Sequence, residues 1–176
     1  APASTQARAL QALDLGTGSG AIALAIAQER SDVDIHACDI SAECLAVAEA
    51  NSRALGLPIS LQLSDWFERI DQRFHVIVAN PPYIDSADPH LSQLLAEPRA
   101  ALVAPNHGLA DLQAIIERAP AHLHRDGWLL LEHGYDQGMA TRELLTNRGF
   151  EKVGTRRDLG GNERVSWGQL PVHEAD

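Results

Sequence analysis

Seven residues near the start of the chain, Asp14-Leu15-Gly16-Thr17-Gly18-Ser19-Gly20, have the composition of a ligand-binding turn. They follow an apolar run and open an amphipathic one, the strand-turn-helix position where nucleotide ligands bind in a doubly wound sheet. Glycines there let the backbone turn tightly and approach a ligand where a side chain would collide. A dinucleotide fingerprint would read GxGxxG, but Ala21 stands at its last position and the third glycine comes one residue early, at Gly20. No lysine follows the glycines, which excludes the phosphate loop of NTP-binding proteins. Asp39 ends the next apolar run, nineteen residues past Gly20, where an acid can accept both hydroxyls of a ribose. Thr17 inside the turn and Ile40 after the acid complete the expected contacts around it. Asp65-Trp66 follows the third apolar run, where a carboxylate and a ring could hold the amine and the face of an adenine.

A second constellation, Asn80-Pro81-Pro82-Tyr83, directly follows the fourth apolar run. Two prolines cannot continue a central ladder, so the strand stops there and its end faces the ligand crevice. The chemistry that needs such a loop is methylation of a planar nitrogen, whose lone pair is delocalised and weakly nucleophilic. Two acceptors aimed at its N–H bonds, the Asn80 side-chain oxygen and the Pro81 carbonyl, can hold it in line with a methyl carbon. Tyr83 could pack on the planar group or lie near a sulfonium through cation–π attraction. Asn80 would thus touch both acceptor and donor. The acid-and-glycine spacing from Asp14 to Gly20 resembles the DxGxGxG motif of class I methyltransferases, which implies S-adenosylmethionine as donor and Asp14 facing its ammonium group. Adenine in DNA, guanine in ribosomal RNA and the glutamine side chain all remain open as acceptors.

The elements that must position these residues alternate between short apolar runs and amphipathic stretches, the pattern of a parallel sheet covered by helices. Strands are expected at about 9–15, 33–38, 59–63, 74–79, 128–131, 150–155 and 164–169, and helices at about 20–29, 42–55, 109–122 and 137–147. The expected fold is α/β and Rossmann-like: a seven-stranded, mostly parallel sheet, helices on both faces and an antiparallel C-terminal strand. Ser41 suits an N-cap, Gly56 and Pro58 a helix stop, and Pro120 should kink or end its helix. From Asn80 to Gly108 five prolines leave no obvious element, and so long a connection is usually functional. Asp158-Leu159-Gly160-Gly161-Asn162 suggests a hairpin turn at the sheet edge.

With 176 residues, 45% hydrophobic and 22% charged, the chain is expected to form a single domain over residues 1–176 and is neither disordered nor fibrous. A formal charge of −10 repels phosphate backbones, so direct nucleic-acid binding is not expected. Two cysteines, Cys38 and Cys44, make no disulfide framework or metal site, and no apolar run reaches the length of a membrane span. A cytoplasmic protein is the expectation. His122 and His124 read as solvated, His36 and Cys38 as core or edge positions, and Arg156 and Arg157 beside Asp158 as a surface charge cluster. Glu132 and His133, ending the fifth expected strand, should face the crevice.

Longer segments resemble one particular family, the HemK-type protein-(glutamine-N5) methyltransferases of peptide chain release factors. They are DLGTGSGAIALAIA at Asp14–Ala27, SDWF at Ser64–Phe67, NPPYIDSADPHL at Asn80–Leu91, EPRAALVA at Glu97–Ala104, LLLEHG at Leu129–Gly134 and DLGGNERVSWG at Asp158–Gly168. The resemblance implies transfer of a methyl group from S-adenosylmethionine to the glutamine of the Gly-Gly-Gln motif in class I release factors, with S-adenosylhomocysteine as by-product. It implies Asn80, Pro81, Pro82 and Tyr83 at the glutamine amide, and Asp14, Gly16, Thr17, Gly18, Gly20, Asp39, Ile40, Asp65, Trp66 and Asn80 at the donor. The glutamine methyltransferase of a large-subunit ribosomal protein is the nearest alternative, and a DNA or rRNA amine methyltransferase the next. A chain that only binds the donor is a third. The family's small helical N-terminal domain, which grips the release factor, is expected to be absent from this chain, and the stretch from Ser92 to Arg99 is shorter than the family's usual one.

Overall fold

The computed structural model describes residues 10–82, 84–85, 103–104 and 109–172. The apolar runs fold as strands and the amphipathic stretches as helices. In chain order they are β1 (Leu10–Leu15), α1 (Ala21–Glu29), β2 (Val33–Asp39), α2 (Ala42–Leu55), β3 (Ser60–Leu63) and β4 (Phe74–Ala79), then β5 (Ile84–Asp85), β6 (Val103–Ala104), α3 (Ala110–His122), β7 (Leu123–Glu132), α4 (Gly138–Asn147), β8 (Glu151–Arg157) and β9 (Glu163–Gln169).

Seven of the strands form one sheet in the order β3-β2-β1-β4-β7-β9-β8. The first five in that row are parallel, and β9 runs antiparallel to both β7 and β8. The chain builds outward from β1 to β3, then returns to place β4 on the other side of β1. That reversal makes the C-terminal ends of β1 and β4 the switch point where open α/β sheets bind ligands. The expected seven strands are all present, and the C-terminal hairpin lies at the sheet edge with β9 inserted between β7 and β8.

Side chains of different size on the two sheet faces set how closely the helices approach. Ala12, Ile35 and Ala37 meet Ala23 of α1 in one small cluster, where the alanines let the helix sit close behind the glycine turn. The opposite face carries Leu13, Leu15, Ile77, Leu129 and Leu131, each at most 1% exposed, packed with Leu112, Ile115, Ile116 and Leu145 of α3 and α4. Fully burying each such side chain contributes on the order of 1.5–3 kcal/mol. α2 is bounded as its sequence suggests: the Ser41 hydroxyl accepts from the Cys44 N–H at 3.2 Å, and Gly56 closes it with φ 66°.

Two elements differ from expectation. β7 starts at Leu123, because buried Leu123 already pairs with Phe74 and α3 runs straight into the strand without a loop. Arg125-Asp126-Gly127 resembles a turn but is an irregularity inside the strand, where Asp126 takes φ 70° and accepts from the Gln169 amide through its carbonyl and its carboxylate. Between Asn80 and Gly108, β5 and β6 pair in parallel, Ile84 with Val103 and Asp85 with Ala104. α3 ends two residues after Pro120, as a proline near a helix end allows.

The histidines beside it are not solvated. The His122 ring stacks on Phe67 at 4.4 Å and 9°, and the His124 ring lies tilted over His75 at 4.4 Å. Burial holds His122 below the usual imidazole value. Among the described residues no helix is long and apolar enough to cross a membrane.

Candidate active site

The turn after β1 is built around Asp14. Gly20 takes φ 84° ahead of α1 and supplies no side-chain cap, so the first turn of the helix lacks an acceptor of its own. Asp14 provides one: its Oδ2 accepts from the Ala23 N–H at 3.2 Å and from the Thr17 hydroxyl at 2.6 Å. The other oxygen, Oδ1, is buried without a hydrogen-bond partner. Burial, opposed by those two bonds and aided by the nearby Asp39 charge, raises the Asp14 pKa to about 6. Gly16 takes φ 67°, and a Cβ there would stand 3.1 Å from the Trp66 ring, so both backbone and space demand glycine.

Asp39, at the end of β2 and 8% exposed, ties the turn to the next helix. Its Oδ2 accepts from the Gly18 N–H at 2.9 Å and its Oδ1 from the Ser41 N–H at 2.8 Å. The Thr17 N–H donates to the Cys38 carbonyl at 2.9 Å and the Ser64 N–H to the Asp39 carbonyl at 3.0 Å, so the ends of β1, β2 and β3 are laced together. Ile40, beside Asp39, is 69% exposed, an apolar surface at the mouth of the crevice. Trp66 adopts φ 44°; its carbonyl accepts from the Ser64 hydroxyl at 2.9 Å and the Cys38 thiol at 3.5 Å. Asp65 next to it is exposed. Burial pushes the Cys38 thiol up to about 12, so it stays a protonated structural group.

The Asn80-Pro81 loop lies directly beside this turn. β1 and β4 pair in parallel with Leu15 opposite Ala79, so Gly16 and Asn80 are the first residues beyond adjacent strand ends, about 5 Å apart in strand spacing. Pro81 is buried, Pro82 half-buried and Asn80 exposed. Tyr83 lies outside the described residues, as do residues 86–102 and 105–108. Gly18 leaves open space where a Cβ would stand. The structure thus gathers the glycine turn, Asp14, Asp39, Ile40, Trp66, Asn80 and Pro81 at one end of the sheet.

Residues 3–104 match the family model described as methyltransferase small domain. The chain belongs to that family. It is 53% identical over 161 residues to the release factor glutamine methyltransferase of Pseudomonas aeruginosa, an alignment that covers 89% of this chain and 58% of that protein. The chain therefore spans somewhat over half the length of the relative it matches. Two solved structures share the fold: a ribosomal protein L11 methylase from Lactobacillus delbrueckii subsp. bulgaricus, with TM-score 0.66 and 22% identity over 94% of this chain and 73% of that one, and the 16S rRNA N2 G1207 methyltransferase of Thermus thermophilus in complex with AdoMet and guanosine, with TM-score 0.64 and 22% identity over 91% of this chain and 37% of that one. The class I methyltransferase fold is common to all three.

Within this methyltransferase domain, two residues differ from the sequence reading. Asp111, in the first turn of α3, accepts from the Trp66 side chain; burial raises its pKa, and that bond opposes the rise. Asp111 follows the long connection, with no local pattern to link it to Trp66. His133 does not face the crevice as expected. It is 0% exposed, its Nδ1 is 2.8 Å from the Gly134 carbonyl and its Nε2 2.8 Å from the Ser166 hydroxyl. Because a carbonyl only accepts, Nδ1 carries the proton and Ser166 donates to Nε2. Ser166 then accepts from Thr155 at 2.7 Å, and Thr155 from Arg142 at 2.7 Å. Arg142 also holds Glu163 at 2.9 Å. The result is a buried polar brace joining β7, β9, β8 and α4, and burial keeps its imidazole below the usual value. Among the described residues no three His, Cys, Asp or Glu side chains gather as a metal site.

Proposed function

We propose that this chain carries the catalytic domain of an enzyme that methylates the side-chain amide nitrogen (N5) of the glutamine in the Gly-Gly-Gln motif of class I peptide chain release factors. The donor is S-adenosylmethionine, and the products are N5-methylglutamine and S-adenosylhomocysteine. The observation that carries this reading is the juxtaposition of Asn80-Pro81 with the Gly16 turn at the switch point, set by the Leu15–Ala79 register. The name and 53% identity of the Pseudomonas aeruginosa relative support the choice of acceptor.

The residues present fit the donor. The unpartnered Asp14 Oδ1 offers a buried acceptor to an ammonium group. The Asp39 carboxylate stands at the strand end for ribose hydroxyls, with exposed Ile40 and the Trp66 ring as apolar walls for adenine. When bound, S-adenosylmethionine supplies an electrophilic methyl carbon on a sulfonium. The Asn80 side-chain oxygen and the Pro81 carbonyl accept the two amide N–H bonds of the substrate and orient its nitrogen, so catalysis rests on positioning. The C–N bond forms as the C–S bond breaks, and the nitrogen releases one proton to water, so no side chain need act as base.

Asp14 gives this reading a pH dependence. Its folded pKa of about 6 stands above the ordinary carboxylate value of 3.8, so its contribution to stability is full below about 4 and is lost as pH rises through about 6. Donor binding runs the other way, because the ammonium pairs with the ionised carboxylate. We expect the affinity for S-adenosylhomocysteine to be level above about pH 7 and to fall up to about tenfold per unit below about pH 6. Titration calorimetry across this range checks it, and Asp14→Asn should flatten the profile.

The decisive assay is transfer of labelled methyl from S-adenosylmethionine to a purified release factor, with a Gly-Gly-Ala variant as control. Label on the Gly-Gly-Gln protein alone is the expected result. Label on a ribosomal protein or on RNA, with the release factor unlabelled, overturns the assignment of the acceptor.

A further inference from the structure

The tip of the C-terminal hairpin has a chemistry that donor binding and methyl transfer leave unused. β9 runs antiparallel to β7, with Glu132 opposite Val165, so the turn from Asp158 to Asn162 projects from the same end of the sheet as Asn80. The two sites are three strand spacings apart, about 14 Å, too far for a side chain at the tip to reach the reacting nitrogen. A bound protein of ordinary size spans that distance easily.

Positive charge collects there. Residues 156–164 hold Arg156, Arg157 and Arg164 against Asp158 and Glu163, a local charge of +1 in a chain of −10. Arg142 and Arg164 are committed internally, the first to Thr155 and Glu163 and the second to Asp158 at 3.4 Å and the His133 carbonyl at 3.3 Å. Two cations point outward. The Arg157 side chain is 68% exposed, lies 3.9 Å from Glu163 and donates to the Gly161 carbonyl at 2.8 Å, which holds its charge against the turn. Arg156 is exposed and engages no described residue in a hydrogen bond or ion pair. A register shift between them turns the strand, as bulges near functional edges do. Leu159, fully exposed at the apex, adds an apolar contact.

The tip is also held in shape. The Asp158 N–H donates to the Asn162 carbonyl at 2.8 Å, the Gly161 N–H to the Asp158 carbonyl at 3.0 Å, and the Asn162 N–H to the Asp158 carboxylate at 2.9 Å. Below it, the buried brace from His133 to Arg142 fixes the hairpin to the end of β7. A rigid, charged and partly apolar tip beside a substrate crevice binds a partner with little ordering cost.

We propose that Arg156, Arg157 and Leu159 form a docking surface for an acidic face of the protein substrate, which seats the Gly-Gly-Gln loop at Asn80; this rests on the release-factor reading above. Such rim charges speed encounter and respond to salt more than they change the chemical step. The test is steady-state methylation of a purified release factor by the full chain and by R156E/R157E, at low and high ionic strength, with the S-adenosylhomocysteine Kd and thermal midpoint measured alongside. KM for the release factor should rise about tenfold at low salt, with kcat, donor Kd and midpoint unchanged, the difference shrinking at high salt. R156K/R157K, which keeps both charges, should behave as wild type.

An unchanged KM in R156E/R157E overturns the docking role, and so does a fall in kcat with KM constant. Loss of RNA binding in that variant, with release-factor KM intact, would assign the tip to nucleic acid instead. A wild type that labels no release factor overturns the proposed function, and the docking role with it, whereas one that labels it while the variant keeps its KM overturns the docking role alone.

Discussion

Asn80→Ala should lower methyl transfer by at least about two orders of magnitude while leaving the Kd for S-adenosylhomocysteine within about twofold. The residue is exposed at the end of β4, so its loss removes no core packing. What it removes is an acceptor fixed by its neighbours: Ala79 is paired into the sheet opposite Leu15, and buried Pro81 limits the backbone on the other side. Asn80→Gln separates position from chemistry. It keeps the amide and moves it by about one bond, roughly 1.5 Å, yet a misplacement near 1 Å is enough to cost about a hundredfold. Both variants should therefore be nearly inactive with wild-type donor affinity. Wild-type turnover in Asn80→Gln would mean that the loop does not orient the acceptor.

The parts of this fold that were legible in the sequence are those where one local signal decides one element. Alternation of apolar runs and amphipathic stretches gave the seven strands and four helices, because each parallel strand must be buried on both faces and each crossover must be helical. The placement of the Asp14–Gly20 turn, Asp39 and Asn80-Pro81 at strand ends was legible because glycines permit a left-handed turn and two prolines stop a strand. Where two signals compete, the reading fails. Arg125-Asp126-Gly127 has the composition of a turn, but Leu123 before it is buried against Phe74 and recruits the segment into β7. His133 has the composition of a catalytic group, yet its partners Ser166 and Thr155 lie on strands whose pairing no local pattern predicts. Asp111 is silent for the same reason: its contact with Trp66 depends on how α3 packs, and the energy of that packing is spread over Leu112, Ile115 and Ile116.

Asp39→Ala should do the converse of Asn80→Ala, weakening S-adenosylhomocysteine binding by about a hundredfold or more. The carboxylate is 8% exposed and already holds two backbone donors, Gly18 N–H at 2.9 Å and Ser41 N–H at 2.8 Å. On the proposed reading, removing it deletes charge-assisted bonds to the ribose hydroxyls, each worth on the order of 1.5–3 kcal/mol. It also leaves the Gly18 and Ser41 N–H groups without an acceptor, which loosens the turn that frames the donor and lowers the thermal midpoint. Asp39→Asn tells these effects apart. Its remaining oxygen can satisfy one of the two backbone donors, so the turn is partly kept, but its NH2 faces a group that can only donate and the ribose loses its paired acceptor. Donor affinity should therefore fall nearly as far in Asp39→Asn as in Asp39→Ala, while the midpoint stays closer to wild type. If affinity instead follows the midpoint across the two variants, Asp39 acts on the donor only by bracing the glycine turn. An unaltered Kd in Asp39→Ala would remove it from the donor site and leave Asp14 as its one buried carboxylate.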